Sequence, residues 1–395
     1  MPRGADVLLG PDAGDLLQVV LHEAGIDLES WRVHRVHRHG TDTLAVHFVA
    51  EIDEGDGPRS VTMVGVVSRR QVPDGATVVR SAGASIHLWR WPYDPYLPGL
   101  PAAVTPTHLR ALIDRLDGPP GSIRVRTRSY RPTRRAVIEV GIEGRGSPAA
   151  YLKVMGGRSS DHRVKRTLGL ADVHRQWQDL LPVPRVLGVA EEQGIVALSP
   201  LAGVTLRQAL VDGAAPDPAE VVDLARRISA APVCGSREPM HYADPSRHAV
   251  TIADVVPDEA ERAMALAARC LPIGGPVGSV HGDFHDAQVL VQDRAITGVL
   301  DIDGAGTGPL ALDAGRIVAW TETVGLAHPD RADVVAYTER LADAFDDLVP
   351  PSELARSAAA AWIGLATGPH RQQLANPDAR VRERLDRAEA WLERA

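Results

Sequence analysis

The stretch HGDFHDAQVLV, residues 281–291, carries the reading on which the fold depends. A histidine, a glycine and an aspartate lead into a polar run that stops abruptly in an apolar strand, as a catalytic loop does. Asp283 is followed five residues later by Gln288 and eighteen residues later by Asp301. Between them, QVLVQDRAITGVLDID (288–303) reads as two short strands either side of a turn. Asp313 comes twelve residues after Asp301. Each acid taken alone reads more simply as a loop or cap residue. The three residues in register, with a β-hairpin between them, point to chemistry instead.

Helix signals dominate from Leu206 onward. Asp217 and Pro218 form an N-cap and first-turn pair, Ser352 is expected to cap ELARSAAAAWIGLATG (353–368), and DARVRERLDRAEAWLERA (378–395) closes the chain. Upstream, SIRVRTRSY (122–130), AVIEVGI (136–142) and AAYLKVM (149–155) read as successive strands. A polar helical stretch follows from Asp161 to about Leu181, then two more strands, VPRVLGVA (183–190) and GIVALSPL (194–201). The pattern predicts a five-stranded, mostly antiparallel sheet with one helix inserted after the third strand.

The run DGPPGS (117–122) is the clearest linker. Before it, LLQVVLHEAG (16–25) predicts a short helix, and TLAVHFVAEI (43–52) with RSVTMVGVVS (59–68) predicts a hairpin around DEGDG. WRWPYDPYLPGL (89–100) reads as a packed irregular segment, and its YDPYLPGL portion as a docking segment against the sheet that follows. The expected parts are a small α+β unit over 1–118, a sheet-rich lobe over 122–201 and a helical lobe over 202–395.

Composition narrows the classes. A chain of 395 residues with 44% hydrophobic and 24% charged residues is globular and longer than one ordinary core. The net charge of −8 argues against nucleic acid as a partner. The N-terminus lacks a continuous apolar stretch after its Arg and no apolar run is long enough to span a bilayer, so no membrane association and a cytoplasmic location are expected. Cys234 and Cys270 form neither a disulfide framework nor a metal spacing. The oligomeric expectation is a monomer or homodimer. Residues 203–395 carry 29 acidic and 18 basic side chains, whereas residues 121–160 carry nine basic and two acidic ones. One part can hold an anion and the other can attract a cation. Only Lys153 and Lys165 are lysines, and Lys153 sits inside an apolar strand, where a charge is costly unless it is used.

HGDFHDAQVLV with the following GVLDIDGAGTGPLALDAG (298–315) resembles the aminoglycoside phosphotransferases and their relatives, including choline kinases and maltokinases. The resemblance covers about residues 122–395. It implies an α+β, protein-kinase-like two-lobe fold: a five-stranded antiparallel N-lobe sheet and a mostly helical C-lobe, here preceded by a small α+β cap domain. It implies ATP and Mg2+ as cofactors, Asp283 as the base that receives the acceptor's proton, and Gln288 with Asp301 as metal ligands. Maltokinase-like members carry Gln at this position and an N-terminal cap domain as well. The resemblance further assigns Lys153 to the α- and β-phosphates, Ser199 and Leu201 to the adenine-binding hinge within GIVALSPLAGVTL (194–206), and His281 and Asp313 to bracing the loop.

Two departures stand out. No glutamate occurs between Gly156 and Ala190 to pair with Lys153, which leaves Asp172 and His174 as the nearest candidates. The turn SYRPTRR (129–135), in the place of a phosphate-binding loop, has no glycine and has Pro132, so a phosphate contact there falls to an arginine such as Arg134.

The acidic second half suggests a cationic or polyhydroxylated small-molecule acceptor. Asp286, Asp303, Trp320, Glu322 and Arg371 are the candidate acceptor contacts. The expected activity is transfer of the γ-phosphate of ATP to a hydroxyl of an amino sugar, aminoglycoside or related sugar. The alternatives are a maltokinase-like sugar kinase and a nucleotide-binding pseudokinase or regulatory module.

Overall fold

The computed structural model describes residues 4–22, 25–39, 43–55, 57–68, 71–81, 83–112, 122–232 and 244–395. Cys234 and all of the DGPPGS run except Ser122 lie outside them. The chain forms two compact units. One comprises residues 1–171, 186–200 and 370–375, and the other comprises 172–185, 201–369 and 376–395.

The first unit opens with helices α1 (Ala5–Leu9) and α2 (Ala13–His22) and strands β1 (Asp27–His39), β2 (Thr43–Asp53), β3 (Pro58–Ser68), β4 (Thr77–Ser81) and β5 (Ala84–Arg90). The strands form an antiparallel sheet in the order β1-β2-β3-β5-β4, so the expected β2–β3 hairpin is its centre. Sequence reading missed β1, β4 and β5, and β5 takes in Trp89 and Arg90 of the segment read as irregular; β1, with its His- and Arg-rich WRVHRVHRH run, lies on the edge, where one side of the ladder needs no partner. Short helices α3 (Leu100–Ala103) and α4 (Pro106–Leu112) lead to β6 (Ile123–Arg131), β7 (Arg135–Ile142) and β8 (Pro148–Met155). After α5 (Ser160–Trp177) come β9 (Val186–Ala190) and β10 (Ile195–Leu198). This second sheet has the order β6-β7-β8-β10-β9, five antiparallel strands with the helix after the third.

The first sheet is buried on both faces. Leu8, Leu16, Leu17 and Leu21 from the helices pack with Val46, Phe48, Met63 and Leu88. Ala45, Val64, Val66 and Trp89 join a core with Ala136, Ile138, Leu152 and Val154 of the second sheet. The N-terminal residues and the second sheet therefore share one hydrophobic core.

The second unit contains β11 (Val204–Thr205), α6 (Leu206–Val211), α7 (Pro218–Ala230), α8 (Pro245–Val255) and α9 (Ala260–Cys270). These are followed by β12 (Val277–Val280), β13 (Val289–Gln292), β14 (Ala295–Val299) and β15 (Gly306–Pro309), then α10 (Ala311–Ala327), α11 (Ala332–Ala344), α12 (Pro351–Ala366), α13 (Gly368–Arg371), whose last two residues belong to the first unit, and α14 (Pro377–Leu392). Asp217 caps α7 by accepting from Ala219 N–H at 2.9 Å. Ser352 does not cap α12: Pro351, whose fixed φ suits a first helical position, starts the helix and puts Ser352 inside it. The core gathers Trp177, Phe284, Phe345 and Trp362 among aliphatic residues of α7, α10, α11, α12 and α14. Cys270 is part of this core, and burial pushes its thiol up to about 12, which leaves it inert at neutral pH. No helix among the described residues is long and apolar enough to cross a membrane.

Candidate active site

The β13–β14 hairpin sets the spacing read from the sequence. Its two-residue loop, Asp293-Arg294, has positive φ at both positions (52° and 64°), the twist that favours tight hairpins. Val289 faces Val299 across the ladder, and Leu300 N–H donates to Gln288 O at 2.8 Å. Gln288 and Asp301 thus emerge at the open end of one hairpin, with Gln288 Nε2 3.5 Å from Asp301 Oδ2. Asp301 has φ 59° and ψ 41°, a left-handed backbone that turns the chain out of β14 into a short 3-10 turn over Ile302–Gly304.

Asp313, near the start of α10, holds the loop that carries Asp283. Its two carboxylate oxygens accept from His281 N–H at 2.6 Å and Gly282 N–H at 3.0 Å. Burial raises the pKa of Asp313, against the pull of His281, the two N–H donors and Arg316. Gly282 has φ 80°, and a Cβ there would lie 2.5 Å from Gly304 O, so only glycine fits this tight turn. His281 accepts from Asp283 N–H on Nδ1 at 3.2 Å, which leaves Nε2 as the donor to Leu300 O at 2.8 Å.

Asp283 is itself 8% exposed. Arg316 Nη2 lies 2.5 Å from its Oδ1, and His285 Nε2 lies 4.0 Å from the same oxygen. Arg316 was not singled out from the sequence. The available signal was its position three residues after Asp313, one turn along the same helix face. Gly315 lets that helix press close to α12, since a Cβ there would lie 2.4 Å from Ala358 N.

The donor set suits Mg2+. An amide and a carboxylate are hard ligands, and this ion takes one or two protein oxygens with the rest from phosphates and water. His285 Nδ1 accepts from Ala287 N–H, so the neutral ring carries its proton on Nε2, 3.3 Å from the Gln288 amide. An oxygen at that end of the amide, reached by a half-turn that exchanges the two amide ends, satisfies this N–H and lies beside Asp301 Oδ2, where the two would hold the ion. Among the described residues no group of three or more His, Cys, Asp or Glu is arranged around a metal position, so an all-protein cage of that kind is not present there.

Two of the expected acceptor contacts are spent internally. Asp286 is fully buried, and Arg207 binds it through both oxygens, Nε–Oδ2 at 2.8 Å and Nη2–Oδ1 at 3.0 Å. A buried carboxylate demands such a partner and has nothing left for an acceptor ammonium. Glu322 Oε2 accepts from Trp362 Nε1 and Trp391 Nε1, each at 2.9 Å, and Arg387 lies 3.4 Å from Oε1. It ties α10, α12 and α14 together. Trp320 is half-buried, stacked on His285 at 4.4 Å, with Arg207 5.2 Å from its ring centre. Asp303 is half-buried in the turn after Asp301. Arg371 ends α13, exposed, and groups with the first unit, apart from the other four.

In the first unit, Lys153 is 7% exposed in β8, the central strand, between Val137 and Val196. It is not an edge lysine pointing to water. Of its candidate partners, Asp172 is exposed beside Arg175, and His174 is buried with Nδ1 2.9 Å from Pro184 O. Arg134 is exposed in the β6–β7 turn. Ser199 falls in the first unit and Leu201 in the second.

Residues 157–348 match the family described as the phosphotransferase enzyme family, APH. That stretch is a domain of this family, and the protein is a phosphotransferase with a mixed α+β fold. Among solved structures, the chain is similar to a thermostable mutant of aminoglycoside phosphotransferase APH(4)-Ia in ternary complex with ADP and hygromycin B. The identity is 19%, over 70% of this chain and 95% of that one, with a TM-score of 0.45. It is also similar to ADP-bound aminoglycoside phosphotransferase APH(2'')-Ib, at 11% identity over 72% and 97% of the chains and a TM-score of 0.46. A choline/ethanolamine kinase family protein from Mesorhizobium loti gives 14%, 73%, 94% and 0.47 for the same quantities. At these scores the likenesses say nothing about the acceptor. No curated protein sequence matches the chain.

Proposed function

We propose that the protein transfers the γ-phosphate of ATP to a hydroxyl of an amino sugar, aminoglycoside or related sugar. The observation that carries this reading is the convergence within one loop and hairpin of a buried, braced carboxylate, Asp283, with the adjacent side chains of Gln288 and Asp301. Phosphoryl transfer needs positioning and charge neutralisation more than covalent help. Asp283 orients the acceptor hydroxyl and takes its proton. Gln288 and Asp301 would hold Mg2+, which neutralises the phosphate charge when bound. Lys153 and Arg134 bind phosphate oxygens, and backbone groups of Ser199 and Leu201 meet the adenine. In this reading residues 122–201 are the nucleotide lobe, 202–395 the catalytic lobe and 1–118 a cap, working in the cytoplasm where ATP is supplied.

A neutral sugar acceptor, as in a maltokinase-like kinase, is favoured by one observation: Asp286 and Glu322, two of the acids expected to hold an ammonium, are already paired. ATP consumption with Mg2+, against a panel of aminoglycosides, amino sugars and neutral sugars, tests both readings. Stimulation by one acceptor class selects it. Nucleotide binding without stimulation by any of them overturns the enzyme reading in favour of a pseudokinase or regulatory module.

A further inference from the structure

The β6–β7 turn is held from outside its own sheet. Thr133 sits in it with φ 67°, a conformation that a β-branched residue adopts only under constraint. Its N–H donates to Asp94 Oδ2 at 2.9 Å. The same oxygen accepts from Tyr130 O–H at 2.8 Å, while Oδ1 accepts from Tyr96 N–H at 2.9 Å. Tyr130 O–H in turn accepts from Trp89 Nε1 at 3.1 Å. On the other side of the turn, Gly156 N–H donates to Arg134 O at 2.8 Å. Asp94 is 2% exposed and belongs to the segment between the first sheet and α3, outside the family match.

A glycine in this turn would take a positive φ at no steric cost, and successive glycines would offer free N–H groups to phosphate. This chain has Thr133 between Pro132 and Arg134 instead. Left alone, such a turn relaxes out of the left-handed region and Arg134 wanders with it. The buried Asp94 carboxylate over-determines the conformation by anchoring both the start of the turn, at Tyr130, and its strained centre, at Thr133.

We infer that Asp94 is a positioning residue for nucleotide binding: it does for this glycine-free turn what glycines do elsewhere, and so makes the N-terminal segment part of the phosphate-binding apparatus. The inference rests on the proposed reading that the turn faces the phosphates of ATP.

The test is ATP·Mg2+ affinity and steady-state kinetics of the full chain carrying Asp94→Asn, Tyr130→Phe, or Asp94→Asn with Thr133→Gly, together with amide exchange at Thr133 and thermal midpoints. Asp94→Asn is expected to weaken ATP binding about 10-fold, the cost of a binding-competent turn populated only a fraction of the time, with the acceptor KM unchanged. Tyr130→Phe is expected to do less, and Thr133→Gly to restore affinity in the Asp94→Asn background. Wild-type affinity in both folded single variants overturns the inference whether or not exchange at Thr133 quickens. Failure of the glycine to rescue a weakened variant overturns it too. A wild-type chain that binds no nucleotide overturns the proposed function itself, which separates the two.

Discussion

Arg316 holds Nη2 2.5 Å from Oδ1 of Asp283, one turn along α10 from Asp313, whose carboxylate grips the same loop through two backbone N–H groups. One helix therefore fixes both the backbone and the side chain of the proposed base. Asp283→Asn is expected to lower kcat by at least about 100-fold with ATP affinity retained, because a general base acts in the transition state. Arg316→Gln should lower kcat by about 10- to 100-fold through loss of orientation. Steady-state kinetics with the best acceptor measures both. Wild-type kcat in Arg316→Gln would mean that the ion pair plays no part in the reaction.

The proposed metal ligands make a separate expectation. Gln288→Ala should raise the Mg2+ concentration for half-maximal rate by about 10-fold or more, and Asp301→Asn should abolish turnover at any Mg2+ concentration tried. A magnesium titration of the initial rate checks this. An unchanged titration for Gln288→Ala removes Gln288 from the site.

Asp94 gives stability a pH dependence with a definite sign. Burial is the largest influence on its carboxyl and raises it from 3.8 to about 6, against the opposing hydrogen bonds from Thr133, Tyr130, Tyr96 and Leu97. Between these values the folded chain binds more protons than the unfolded chain, so this group's contribution is fully present below pH 4 and is lost as pH rises to about 6. The loss is on the order of 3 kcal/mol at 1.36 kcal/mol per unit. The denaturant midpoint of wild type should fall relative to that of Asp94→Asn as pH rises from 4 to 7. Parallel profiles would show that Asp94 does not titrate there.

Glu322 is expected to act on stability and not on acceptor affinity. Glu322→Ala leaves two indole N–H groups without their acceptor and should cost about 2–4 kcal/mol, with Glu322→Gln recovering part of it. Thermal midpoints and the acceptor KM read the two effects apart. A raised KM at an unchanged midpoint would return Glu322 to the acceptor site.

Spacing and pattern were enough for the hairpin of the candidate site and for the second sheet, but not for β12 and β15 beside that hairpin. Asp283, Gln288 and Asp301 are separated by one loop and one short hairpin, and hairpin geometry is local, so the sequence interval maps onto space. The five strands from β6 to β10 and the helix among them follow from period and turn residues alone. Strand β1 was hidden because bulges after Leu28 and Val33 break the alternation of its apolar residues, Leu28, Trp31, Val33 and Val36.

Residue type by itself determined which side chains were able to act: carboxylates, an amide oxygen and a buried lysine. The tertiary structure alone decided which were left to act. Asp286 and Asp283 look equivalent three residues apart, yet Arg207, 79 residues upstream of Asp286, consumes one and Arg316, from the following helix, orients the other. Trp362 and Trp391 claim Glu322 from two further helices, and Asp94 reaches the turn at Thr133 from 39 residues away. Pairing of a buried charge is set by which distant segment packs over it, and no local periodicity encodes that partner.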